Sequence, residues 1–262
     1  LPKNVILDMR ATSTTVIPND EPCRCLIVGC GGHGRVVLDV LRRAGGFDPA
    51  GFVDSNPATH GRRIDGLKVL GHPDDLPALR TKLGVDRAII AIGDNGVRRA
   101  FADQLATWGF ELVNAIHPSA NLAGNVSLGR NTVVAAGVLV CAHCQIGDSV
   151  ILNTGCIVDH ETLVGTATHI CPGARVAGRV IIESGAFIGI GATIIQSIRV
   201  GYEAVVGAGA VVISDVAPMS TVVGVPARQI KSIHKTAEMH AWLVPELSHM
   251  DAADQPVTAR SW

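Results

Sequence analysis

"ILNTGCIVDHETLVGTATHI", residues 151–170, places an aliphatic residue at every sixth position: Leu152, Val158, Val164 and Ile170. Stepping by six in both directions keeps this register from Ile116 to Val212, and all 17 positions are Ile, Leu or Val. Four residues after each stands Ala, Val, Thr, Cys or Ile. A six-residue period held over about a hundred residues predicts a hexapeptide β-helix. Three hexads close one triangular coil, so 17 hexads give between five and six coils. With roughly 4.8 Å between stacked strands, the prism is about 27 Å tall. The aliphatic residue points inward, the small residue fits beside it, and each coil hydrogen-bonds to those above and below.

The composition agrees with thin, repetitive layers. Hydrophobic residues make up 47% of the 262, yet aromatics only 3% and charged residues 17%, with 29 glycines. A net charge of −1 supplies no global attraction for nucleic acid or an anionic membrane. No apolar run approaches the roughly 18 residues that span a bilayer. Seven cysteines at irregular spacing do not suggest a disulfide framework, and a cytoplasmic location is expected. Cys141-Ala-His143-Cys144 raises a metal reading, but Cys144 falls in the inward small slot while His143 projects outward. Ligands must converge on one point, so no metal is expected.

The segment before the repeat has a different rhythm. An apolar strand at 25–28 runs into "GCGGHG", residues 29–34, and then a helical pattern with Val36, Val37, Val40 and Leu41 on one face. Further strands fall in "AGFVDSNP", "DRAIIAIGDN" and "ELVNAIHP", with helices near 74–83 and in "GVRRAFADQLATWGF". Strands alternating with helices predict a small Rossmann-like parallel α/β domain. The domain organisation read from the chain is an N-terminal extension over 1–22, the α/β domain over 23–115, the β-helix over 116–230 and a C-terminal extension over 231–262.

Gly29-x-Gly31-x-x-Gly34 after a strand, with Asp54 20 residues past Gly34, fits a dinucleotide fingerprint. An NAD-dependent oxidoreductase is one reading. The α/β part is too short for a full dinucleotide domain plus a hydride-transfer domain, but the loop and helix N-terminus still form an anion site.

The hexad register, "GCGGHG", "LNTGCIVDHETLVG" at 152–165 and "VVGVPAR" at 222–228 together resemble one bacterial family. It comprises the hexapeptide acyltransferases that N-acetylate nucleotide-linked amino sugars, kin of the sialic acid O-acetyltransferases. The resemblance covers about residues 24–230. It implies a left-handed β-helix, a homotrimer with acetyl-CoA between adjacent prisms, and a nucleotide-linked amino sugar, of the 4-amino-4,6-dideoxy type, as acceptor. An O-acetyltransferase acting on a sugar hydroxyl shares the fold, and a non-catalytic scaffold is a third possibility.

His160 follows the inward Val158 by two residues and so projects outward. It resembles the family's catalytic histidine, a base for the sugar amine. Glu161 resembles its carboxylate partner, with Asp159 competing for that role. His169 lies half a coil from His160 and cannot face the same site in one chain. The resemblance brings a neighbour's His169, together with Asn153, to acetyl-CoA. Gly178 stacks on His160 and is a candidate oxyanion donor. Small residues around Ile190 and at Gly207 and Ala208 admit a slender pantetheine, and Arg228 and Lys231 are candidate phosphate contacts or a solvated end. The resemblance further assigns the diphosphate of the nucleotide sugar to Gly31, Gly32 and Gly34. It assigns the nucleoside end to Asp54, Gly93, Asp94 and Asn95, and the sugar or diphosphate to His33.

Overall fold

The computed structural model describes residues 22–232. The predicted extensions lie outside these residues apart from their boundary positions.

The first unit runs β1 (Cys23–Val28), α1 (Gly32–Ala44), β2 (Phe47–Val53), a hairpin of β3 (Arg63–Ile64) and β4 (Leu67–Lys68), α2 (Leu76–Leu83), β5 (Arg87–Ile90), α3 (Asn95–Thr107) and β6 (Glu111–Leu112). Four strands form a parallel sheet in the order β2-β1-β5-β6. Helix α1 forms because Val37, Leu38, Val40 and Leu41 bury one stripe against this sheet. Arg42 and Arg43 complement the dipole in its last turn, and Gly45, at φ +68°, ends it.

The chain then winds into three sheets of two-residue strands. One face carries strands beginning at Ala115, Val133, Ile151, His169, Phe187 and Val205, closed by Ser220–Val223 and an antiparallel edge strand, Arg228–Ser232. The second has strands beginning at Asn121, Leu139, Ile157, Arg175, Thr193 and Val211. The third has Ser127, Gln145, Leu163, Ile181 and Arg199. The prism is a left-handed β-helix of about 6 turns. "ELVNAIHP" is two strands rather than one: Glu111–Leu112 completes the small sheet, and Ala115–Ile116 opens the first face of the prism. Leu112 already pairs with Ala88, whereas Ala115 pairs 18 residues ahead with Val133.

Every position from Val134 to Val212 in the six-residue register is buried, while Ile116, Leu122 and Leu128, at the open end, are partly covered. The small residues beside them, Cys144, Cys156, Ala174, Ala186, Ala192, Ala204 and Ala210, have no exposed surface. Burying each Val or Ile contributes about 1.5–3 kcal/mol, and only the stack provides the burial.

The three edges differ in chemistry. Between the first and second faces the left-handed corner is always glycine: Gly137, Gly155, Gly173, Gly191 and Gly209, all at φ between +64° and +70°. Between the second and third faces it is His143, Glu161, Arg179 and Ser197. Between the third and first faces it is Asn131, Ser149, Ala167, Gly185 and Glu203. The α/β unit docks on this third edge and on the first face. Ala115 and Val133 join its core, and the Asn131 side chain accepts from the Ile90 N–H at 2.8 Å while donating to Ser149 Oγ at 3.0 Å.

Candidate active site

His160 stands on the second edge with its ring exposed. Its Nδ1 is 3.1 Å from the Glu161 carboxylate, and its backbone N–H donates to Asp159 at 2.7 Å. The two acids therefore make different contacts with His160. Glu161, in a left-handed conformation at φ +59°, swings its carboxylate to the imidazole. Asp159 caps the backbone, and that N–H holds its carboxyl below the ordinary range. Below the ring lies Gly178: a β-carbon there would come 2.5 Å from His160 Nε2. The glycine leaves the shelf on which the imidazole rests.

The acetyl-CoA candidates lie elsewhere in the same chain. Asn153, Gly207, the exposed Ile190 and the exposed Ala208 stand along the glycine edge, one side of the triangle away from His160. Gly189 is needed there because a β-carbon would meet the Ala208 N at 2.6 Å, so successive coils approach more closely than a side chain allows. Arg228 is exposed on the edge strand, donating to the Ala227 carbonyl at 2.9 Å.

At the mouth of the small sheet the glycines have distinct tasks. Gly29 turns the chain at φ +99°. Gly34 lets α1 pack on that turn, since a β-carbon would overlap the Gly29 carbonyl. Gly31 and Gly32 face open space. Helix α1 has neither a side-chain cap nor an acidic residue in its first turn, so its N–H groups and dipole favour an anion.

Three of the predicted nucleotide-sugar residues have hydrogen-bond partners within the chain. Asp54 accepts from the Cys30 N–H at 2.7 Å and the Asn56 N–H at 2.9 Å, tying down the glycine loop. Asp94 caps α3 through the Val97 N–H at 2.8 Å. Asn95 turns to the prism, donating to the Gly185 and Ala186 carbonyls at 3.0 and 3.1 Å. Helix termini and domain seams use short polar side chains of this kind. Gly93 faces open space.

His169 is not at a corner but on the first face, packed edge-on against Phe187 at 5.3 Å. The Asn153 amide is 3.1 Å from its Nε2, and the ring of His33 is 6.5 Å away. His169 thus lies beside both Asn153, another of the acetyl-CoA candidates, and the glycine-loop histidine. Burial pushes both imidazoles down to about 4, helped at His33 by the neighbouring His169 and Arg98 and at His169 by Arg98. His33 Nε2 and His169 Nδ1 are enclosed without a hydrogen-bond partner. Arg98, fully buried, was not foreseen, because a charged residue on a helix ordinarily reads as surface. Among the described residues, no group of three or more His, Cys, Asp or Glu could hold a metal ion, and no helix is long and apolar enough to cross a membrane.

A prism with a His–Glu pair on one edge, joined to a parallel sheet with an open anion site, defines a class. Residues 24–105 match the family model for the PglD N-terminal domain. A curated relative, the UDP-N-acetylbacillosamine N-acetyltransferase of Bacillus subtilis (strain 168), is 34% identical over 112 residues, 42% of this chain. That match spans 50% of the relative's length. The solved structure of a mutant perosamine N-acetyltransferase from Caulobacter crescentus, in complex with CoA and GDP-perosamine, is 40% identical with a TM-score of 0.76, covering 79% of this chain and 97% of that one. The acetyltransferase domain of PglB from Neisseria gonorrhoeae FA1090, in complex with acetyl coenzyme A, is 33% identical with a TM-score of 0.73, covering 80% and 100%. The chain belongs to the hexapeptide-repeat acetyltransferases of nucleotide sugars.

Proposed function

We propose that this chain transfers the acetyl group of acetyl-CoA to the amino group of a nucleotide-linked 4-amino-4,6-dideoxy sugar. The observation that carries the reading is the His160 imidazole, seated on Gly178 with the Glu161 carboxylate at Nδ1. The solved relatives in complex with CoA, GDP-perosamine or acetyl coenzyme A support the substrates.

Glu161 accepts from Nδ1–H, a tautomer assigned from this partner, and Nε2 is left with its lone pair as base. The amine attacks the thioester carbonyl as Nε2 takes its proton. The tetrahedral intermediate collapses, the C–S bond breaks, and the imidazolium returns a proton to the CoA sulfur. Glu161 stabilises the imidazolium, and such a base contributes about 10²–10⁴-fold. The Gly178 backbone serves the developing oxyanion. No acetyl-enzyme forms.

The glycine edge, with Asn153, Ile190, Gly207 and Ala208, takes the pantetheine in this reading, and Arg228 takes a phosphate. It meets His160 only if two prisms stand side by side, so a homotrimer with three shared crevices is part of the proposal, as is a cytoplasmic setting. The α1 N-terminus holds the diphosphate.

The test measures thiol release from acetyl-CoA with GDP-, UDP- and dTDP-linked 4-amino sugars, alongside hydroxy-sugar controls. The expected result is turnover with one amino sugar and its loss in His160→Ala. Turnover of the hydroxy sugars alone, or near-full activity of His160→Ala, would overturn the proposal.

A further inference from the structure

Arg98 is fully buried, and its guanidinium donates to three separate pieces of chain. Within the loop after β5, Nη1 donates to the carbonyls of Ile92 at 2.9 Å, Gly93 at 3.0 Å and Asp94 at 3.3 Å. On the third edge of the prism, Nε donates to the Ser149 carbonyl at 2.7 Å, and Nη2 to those of Ala167 and Thr168 at 3.1 and 3.3 Å. Nη2 also donates to Asn95 Oδ1 at 2.8 Å, and Asn95 continues the seam one coil further to Gly185 and Ala186. Successive left-handed corners present these carbonyls outward, so one planar fork spans two coils and the loop at once.

All the hydrogen-bonding partners of this cation are uncharged, and burial holds its pKa down to about 10. A buried charge is a poor adhesive, because apolar residues of similar volume join two surfaces as well or better. What a rigid fork supplies is geometry. Two of its acceptors, Gly93 and Thr168, belong respectively to the loop at the mouth of the sheet and to the residue before His169. Arg98 thus ties the Gly93 loop to the strand that carries His169, whose ring lies 6.5 Å from that of His33.

We infer that Arg98 is a positioning residue: it fixes the nucleotide-sugar end of the α/β unit against the prism, and so sets where the acceptor amine is delivered. It acts through the Gly93 loop and the His169 strand. The inference rests on the acetyl-transfer reading.

The test compares the full chain with Arg98→Lys, Arg98→Met and Asn95→Ala, measuring kcat, both KM values and thermal unfolding. Lysine keeps the charge but cannot serve three segments. In both Arg98 variants, KM for the nucleotide sugar should rise about tenfold or more and kcat should fall, with KM for acetyl-CoA within about twofold. Asn95→Ala, which removes one link and leaves the cation, should raise the same KM by a smaller factor. If Arg98→Lys keeps both kinetic constants, or if the variants only lower the melting temperature, the inference is overturned. If neither Arg98 variant folds, an unchanged nucleotide-sugar KM in Asn95→Ala overturns it. If the parent chain turns over no sugar in the panel, the functional reading fails separately. Titration of GDP, UDP and dTDP into parent and Arg98→Lys proteins then decides the Arg98 question, with equal affinities counting against it.

Discussion

The ring of His160 occupies the volume that a side chain at Gly178 would need: a β-carbon there would lie 2.5 Å from Nε2 and 2.6 Å from Cε1. Gly178 is one coil further along the chain, and its φ is not in the left-handed region, so the missing atom, not backbone freedom, is what the position requires. Gly178→Ala should therefore fold normally and displace the imidazole. Steady-state kinetics should show kcat down by about tenfold or more, since small misplacements of a catalytic group are costly. A far smaller loss would mean that the base is not His160.

The two acids flanking His160 should separate under conservative change. Glu161→Gln keeps an acceptor near Nδ1 but loses the charge that favours the imidazolium, and kcat should fall about tenfold to a hundredfold. Asp159→Asn keeps an acceptor for the backbone N–H of His160 and should be markedly milder. The reverse order in side-by-side assays would assign the orienting role to Asp159.

Two histidines held down to about 4 couple stability to acidity. Below an ordinary value of about 6.5 the unfolded chain binds protons that the folded chain refuses. Stability is thus complete above about pH 6.5 and lost as the pH falls toward 4, with a slope of up to about 1.4 kcal/mol per pH unit for each histidine. Chemical denaturation of the ligand-free protein across this range should show the slope. The double variant His33→Asn/His169→Asn should flatten it.

Asn131 joins the two units through its side chain while holding a left-handed corner at φ +55°. Asn131→Ala leaves the buried Ile90 N–H unpaired, at a cost of about 1–3 kcal/mol, with further strain from the backbone. Asn131→Gly should relieve the strain and keep only the hydrogen-bond loss, so urea midpoints should fall in the order parent, glycine, alanine.

The six-residue register from Ile116 to Val212 determined the prism on its own, because each inward position packs only against its counterparts in adjacent coils. Such a contact lies a fixed distance along the chain and needs no knowledge of the rest of the fold. The outward placement of His160 and its stacking on Gly178 follow from the same local regularity, and the turn at Gly29 from the glycine spacing between a strand and a helix. The tertiary structure decided what depends on two segments meeting. It gave Asp54, Asp94 and Asn95 partners in a loop, a helix cap and the domain seam, set His169 beside His33 as well as Asn153, and buried the cation of Arg98 among backbone carbonyls. Nothing in the spacing of residues 92–98 or 149–168 marks them as partners. Their hydrogen bonds exist only once the α/β unit lies along the third edge, where left-handed corners leave carbonyl oxygens in need of donors.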